Sequence, residues 1–130
     1  MQPEDLGSDG LVRPEVLAVW FEHARSSYLQ LSPTLAAGDP VPMVATVSTT
    51  LVRTIEHPDT IMVNASTTEL RERSFEMRCR MRSVSGDGAI VGTGSCSIEL
   101  ADPRTGDPVP VPKALREELI ALEANARHYG

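Results

Sequence analysis

Phe75-Glu76-Met77-Arg78-Cys79-Arg80-Met81-Arg82 alternates without a slip, with apolar or sulfur side chains at odd positions and charged ones at even positions. A period of two belongs to a β-strand with one face in a core and the other in water. Ser85-Gly86-Asp87-Gly88 follows it with the residues of a tight hairpin turn, so Ala89 to Leu100 reads as the antiparallel partner. Gly92 and Gly94 inside that partner mark a bulge or the close approach of another backbone. Upstream, Thr60 to Leu70 is rich in β-branched and small residues and reads as another strand. Before it, Met43, Ala45, Val47, Thr49 and Leu51 alternate with Val44, Thr46 and Ser48, and His57-Pro58-Asp59 breaks this run.

Towards the N-terminus the period changes. Val16, Leu17, Trp20, Phe21, Ala24 and Tyr28 form a stripe of helical spacing, with Glu15, Glu22, Arg25 and Ser26 on the other side. Pro14 suits a first helical turn, and Ser32-Pro33 predicts an end near Leu31. Ala36 to Pro40 reads as a loop. Asp102 to Pro112 holds four prolines, which cannot continue a central strand. Leu115, Leu119 and Leu122 then place a last amphipathic helix. The order is loop, helix, four strands, helix: an α+β chain in which one long helix faces an antiparallel sheet.

The 130 residues suit one domain spanning 1–130, and the 41% hydrophobic and 23% charged shares are those of a globular protein. A net charge of −6 argues against nucleic acid or an anionic membrane as partner. The polar, acidic start has no apolar signal core, and no apolar run nears the roughly 20 residues of a membrane span. Cys79 and Cys96 read as reduced, buried thiols, and the expected location is the cytoplasm. No histidines and carboxylates stand at metal-ligand spacing, so no metal is expected.

Gly10-Leu11-Val12-Arg13-Pro14 followed by Trp20-Phe21-Glu22-His23-Ala24-Arg25 resembles thioesterases of the 4-hydroxybenzoyl-CoA type. These carry an aspartate-containing loop, then Gly-His-Val-Asn-Asn, then a helix close to Tyr-Leu-x-x-Phe-Glu-x-Ala-Arg. Leu51-Val52-Arg53 with Pro58-Asp59, the run Asp87 to Gly94, and Pro110-Val111-Pro112 before the last helix are similar to further family segments. The resemblance implies a hotdog fold, in which the sheet wraps the helix. It also implies a homodimer or homotetramer in which paired subunits form a longer sheet, with active sites at their interface. The substrate it implies is an acyl-CoA or acyl-carrier-protein thioester, with no cofactor beyond the coenzyme A of the substrate. The departures are specific. Gly7 stands at the family's catalytic aspartate, Leu11 at its histidine, and Arg13 and Pro14 at its two asparagines. The strand that precedes the loop would have to fit into Met1 to Glu4.

Thioester hydrolysis needs a polarised carbonyl and an activated water or nucleophile. A helix N-terminus offers free amides and a positive dipole end, here from Glu15, Val16 or Leu17 behind the loop Gly10-Leu11-Val12-Arg13. The candidate carboxylates are Asp9, beside the motif glycine, and Glu22, because some hotdog thioesterases use a carboxylate on the central helix. The plainer roles are a turn or cap for Asp9, and for Glu22 an exposed pairing with Arg25 or Ser26. Arg25 matches the family's helix arginine, and Arg53 its strand-end arginine. Arg78, Arg80 and Arg82, or equally Arg71 and Arg73, suit the phosphates of coenzyme A. The plainer role of the first three is a solvated outer sheet face. A hotdog protein that binds acyl thioesters or a protein partner without hydrolysis is the alternative function.

Overall fold

The structure is a computed structural model and describes residues 14–53, 60–84 and 88–129. Asp9, Gly10, Leu11, Val12, Arg13, the Met1 to Glu4 stretch and the centre of the 85–88 turn lie outside the described residues. The elements in order are α1 (Pro14–Leu29), α2 (Pro33–Ala36), β1 (Val41–Leu51), β2 (Ile61–Leu70), β3 (Ser74–Ser83), β4 (Ile90–Ala101), β5 (Pro108–Val109) and α3 (Lys113–Tyr129). The sheet is antiparallel in the order β1-β4-β3-β2, with the two residues of β5 added to the end of β4. Strands β2 to β4 form a local meander, whereas β1 reaches across to the far side of β4.

The alternation of β3 decides which way the sheet faces. Phe75, Met77, Cys79 and Met81 are all buried, while Arg78 and Arg80 between them are exposed. Helix α1 packs on the buried side. A Cβ added at Gly94 would stand 2.7 Å from the Phe21 ring and 2.9 Å from Cys79 Sγ; one at Gly92 would stand 3.2 Å from Met81 Sδ and 3.3 Å from Leu17. The two glycines thus admit side chains of the helix rather than another strand's backbone. Helix α1 touches both edge strands, β1 and β2, as well as β4, so the sheet curls around it. Val16, Leu17 and Phe21 are buried, and Trp20 and Tyr28 pack at the margin of the same core. Each fully buried large apolar side chain contributes about 1.5–3 kcal/mol.

Two expectations shift. Strand β1 carries a bulge between Val44 and Thr46, so Val44, opposite Ile98, joins Val47 and Leu51 on the helix side, while Met43 moves to the outer face with Thr46 and Ser48. Val44 and Val47 stay 44% and 51% exposed among the described residues, where β1 pairs only with β4. Beyond α1, which stops at Leu29, Ser32-Pro33 opens the short helix α2 as well as closing the first one. Ser32 Oγ accepts from Leu35 N at 3.2 Å and donates to Glu118 Oε1 at 2.5 Å.

Glu118 fastens α3 to this turn. Thr34 N donates to its Oε1 at 3.0 Å and Thr34 Oγ1 to its Oε2 at 2.6 Å. A turn later, Glu123 accepts from the Tyr28 hydroxyl and from Thr67 N, the latter at 2.8 Å. Burial raises the Glu118 carboxyl, but the bonds from Ser32 and Thr34 outweigh it and hold the group below its ordinary value of 4.5. A depressed carboxylate stabilises the fold fully above its ordinary value, and that stability is lost as pH falls through the lower folded one. Glu118→Gln is therefore expected to cost about 1 kcal/mol at neutral pH, a figure reduced for solvent exposure. Urea unfolding checks this: the gap between variant and parent should close as pH falls below the ordinary value of 4.5 and through the lower folded one, and a gap that persists in strong acid would contradict the charge-based account.

Candidate functional site

The first turn of α1 holds amides with no intrahelical acceptor and carries the positive end of the helix dipole. Its place is fixed from below: Val16 and Leu17 are buried, and Leu17 seats on Gly92. Gly92 is paired with Leu51 on one side and Met81 on the other, so the helix mouth stands at one end of the sheet. Arg53 comes to that same end, just past β1, with its amide donating to Val91 O at 3.2 Å and its side chain exposed. Glu15, Val16 and Arg53 thus lie at the same end of the sheet.

Arg71 and Arg73 are not brought to this place. Tyr28, at the other end of α1, hydrogen-bonds Thr67 at 3.0 Å, and the β2–β3 turn lies beyond Thr67. From Val63, level with the mouth, to Arg71 is about 25 Å of extended chain. Arg71 is held there by Glu69 at 3.1 and 3.2 Å, and its carbonyl accepts from Arg116 Nη2 at 2.6 Å. Arg73 is exposed in the same turn.

Glu22 and Arg25 do not pair with each other. Glu22 is exposed, and His23 beside it is exposed as well. Arg25 turns inward, with its guanidinium carbon 5.2 Å from the centre of the Phe21 ring and its Nη1 buried without a hydrogen-bond partner among the described residues. Its guanidinium lies near the Cys96 thiol. Burial, then the nearby Cys96, pushes the Cys79 thiol up to about 11, and burial pushes Cys96 up while Arg25 opposes it. Neither thiol is a nucleophile near neutral pH, because the thiolate is the reactive form. Among the described residues, no three His, Cys, Asp or Glu side chains are grouped to hold a metal ion. Among the described residues no helix is long and apolar enough to cross a membrane.

The outer face of the sheet carries a second polar feature. An open concavity of about 740 Å³ lies over β1 to β4, lined by Arg78, Arg80 and Arg82 with Asn64, Ser66, Thr93 and Ser95. The alternation of β3 points these arginines to one face, but only the register shows which residues flank them.

The thioesterase superfamily model matches residues 16–90, from the first buried turn of α1 to the first residue of β4. The chain belongs to the thioesterase superfamily. No curated protein sequence matches it. Among solved structures, this thioesterase-superfamily chain is similar to a thioesterase from Thermus thermophilus complexed with coenzyme A and zinc. The two are 27% identical with a TM-score of 0.81, over 95% of this chain and 90% of that one. A thioesterase superfamily structure from Jannaschia is 20% identical, with a TM-score of 0.82 over 92% and 77% of the two chains. A DHNA-CoA thioesterase from Staphylococcus aureus is 14% identical, with a TM-score of 0.79 over 100% and 91%. The curled antiparallel sheet around α1 is the hotdog fold, of the α+β class. Glu22, Arg25, Arg53, Arg71 and Arg73 all fall within the matched segment, whereas Asp9 to Glu15 and α3 fall outside it.

Proposed function

We propose that the chain hydrolyses an acyl-CoA or acyl-carrier-protein thioester at the mouth of α1, in an interface between two copies. The supporting observation is the superfamily match across α1 to β3, together with a first helical turn held at the sheet end by Leu17 on Gly92. The thioester carbonyl oxygen accepts from the amides of Glu15, Val16 or Leu17. The carboxylate of Asp9 or Glu22 takes a proton from water as the oxygen adds to the carbonyl carbon, giving a tetrahedral oxyanion. Collapse breaks the carbon–sulfur bond, and the leaving thiolate takes up the proton. The products are the acid and the free thiol, and the step needs no cofactor beyond the coenzyme A of the substrate. The loop Gly10 to Arg13 and Arg53 would line this mouth, and Arg25 would position the helix face that carries Glu22. Arg71 and Arg73, at the far end of their own sheet, would hold coenzyme A phosphates for a site whose helix mouth another subunit supplies.

Among the described residues no second strand pairs with β1 and Val44 and Val47 are exposed, which supports a dimer or tetramer. Sizing chromatography with light scattering should show a dimer or larger in micromolar solution. A stable folded monomer there would contradict the shared site. The proposed location is the cytoplasm.

The binding-only reading is favoured by Gly7, Leu11, Arg13 and Pro14, which stand where the family has its aspartate, histidine and asparagines. A panel of acyl-CoA substrates assayed for thiol release separates the two. Release supports hydrolysis; acyl-CoA that raises the melting temperature without any release supports binding alone.

A further inference from the structure

We propose that the outer face of the sheet carries a second site, separate from the mouth of α1, for a small polyanion bearing a chain of two or three phosphate groups. Arg78, Arg80 and Arg82 form its cationic floor. They leave β3 on the side away from α1, spaced about 7 Å apart along the strand. Their cross-strand neighbours are Ser66, Asn64 and Met62 on β2, and Ser95, Thr93 and Ile90 on β4. None of the six is charged. Glu76 meets Arg78 at 3.3 Å at one end, and Arg82 is tied to the Gly88 carbonyl at 3.1 Å at the other. Arg80, in the middle, has no ion pair with a described residue.

A sheet face selected only for contact with water gains from opposite charges across strands and loses from like charges in a row. Past the Glu76–Arg78 pair this face sets cations in a row with uncharged neighbours, in a chain whose net charge is −6, so a basic composition does not explain it. The missing counter-charge is what a ligand supplies. Planar guanidinium forks match phosphate oxygens two at a time, and the hydroxyls of Ser66, Thr93 and Ser95 and the Asn64 amide add donors around them. A concavity of about 740 Å³ suits a small molecule. Three cations within one strand are too few for a nucleic-acid track, which needs a longer basic surface. The inference does not depend on thioester hydrolysis, because the site opens on the opposite side of the sheet from α1.

The test uses inorganic triphosphate and the full chain, followed by calorimetry and thermal melting at low salt. The parent should bind one triphosphate per chain and melt at a higher temperature with it. Affinity should fall at least about tenfold in Arg80→Gln and further in Arg78→Gln/Arg80→Gln, with a shallower dependence on salt. Without triphosphate, Arg80→Gln should melt no lower than the parent, since it only relieves repulsion. Lys113→Gln, on the exposed start of α3, should bind as the parent does. ATP and adenosine identify the source: ATP tighter than triphosphate marks a nucleotide site, equal affinity marks a site for the phosphate chain alone, and both uphold the proposal. Adenosine binding while triphosphate does not would overturn it. So would an absence of triphosphate binding at about 1 mM, an affinity unchanged in the double variant, or a lower melting temperature for unliganded Arg80→Gln. Dissociation of the oligomer by the double variant, with no triphosphate bound by either protein, would also overturn it and mark the face as a contact between copies.

Discussion

Phe21→Ala should destabilise the protein by about 3–5 kcal/mol, the range for removing a fully buried aromatic ring. Phe21 is 0% exposed and fills the space that Gly94 leaves by having no side chain. Its loss opens a cavity under α1, and it also removes the ring against which the Arg25 guanidinium lies. The reverse change is informative. Gly94→Ala puts a methyl 2.7 Å from the ring and 2.9 Å from Cys79 Sγ, so ring and strand must separate. Overpacking of this kind costs about 1–3 kcal/mol. The two changes share one space and should not add: the double variant should be more stable than the sum of the single losses predicts. Urea unfolding of the four proteins gives the coupling. Strict additivity would mean that Phe21 and Gly94 do not hold the helix to the sheet.

Asp9→Asn and Glu22→Gln address the chemistry, and the one that removes the working carboxylate should lower turnover about 10²–10⁴-fold. Each keeps size and polarity and removes the charge that accepts the proton from water. Glu22 is exposed and free of Arg25, so Glu22→Gln should leave the melting temperature nearly unchanged. A loss of turnover without a loss of stability would therefore report on the reaction. If neither variant falls by at least about tenfold, a carboxylate base at the helix mouth is not part of the mechanism.

The sequence made some of this plain and hid the rest for physical reasons. Strand β3 is legible because its alternation is unbroken, and β4 because a turn fixes where it starts; Gly92 and Gly94 mark a close approach, but that it is made by Leu17 and Phe21 of α1 rather than by another backbone shows only in the fold. The faces of β1 around Ala45 are not legible in the sequence, because a bulge is set by pairing with β4 and leaves the local pattern intact. Helix α2 is four residues long, and its start is fastened by Glu118, 86 residues from Ser32. No local periodicity records such a contact. Arg25 reads as a surface partner of Glu22 by helical spacing, yet it turns inward towards Phe21 and Cys96. Arg71 and Arg73 match a phosphate-binding type of residue, but their distance from their own helix mouth follows from the direction of β2 alone. The uncharged flanks of Arg78, Arg80 and Arg82 come from three strands and become visible only once the register is known.

The most direct measurement is steady-state release of free thiol from a series of acyl-CoA esters, made on the parent and on the Asp9→Asn/Glu22→Gln double variant at equal protein concentration. The account predicts release by the parent with at least one ester and, in the double variant, a fall of about a hundredfold or more with the fold intact. No release by the parent with any ester, or equal release by both proteins, would contradict it.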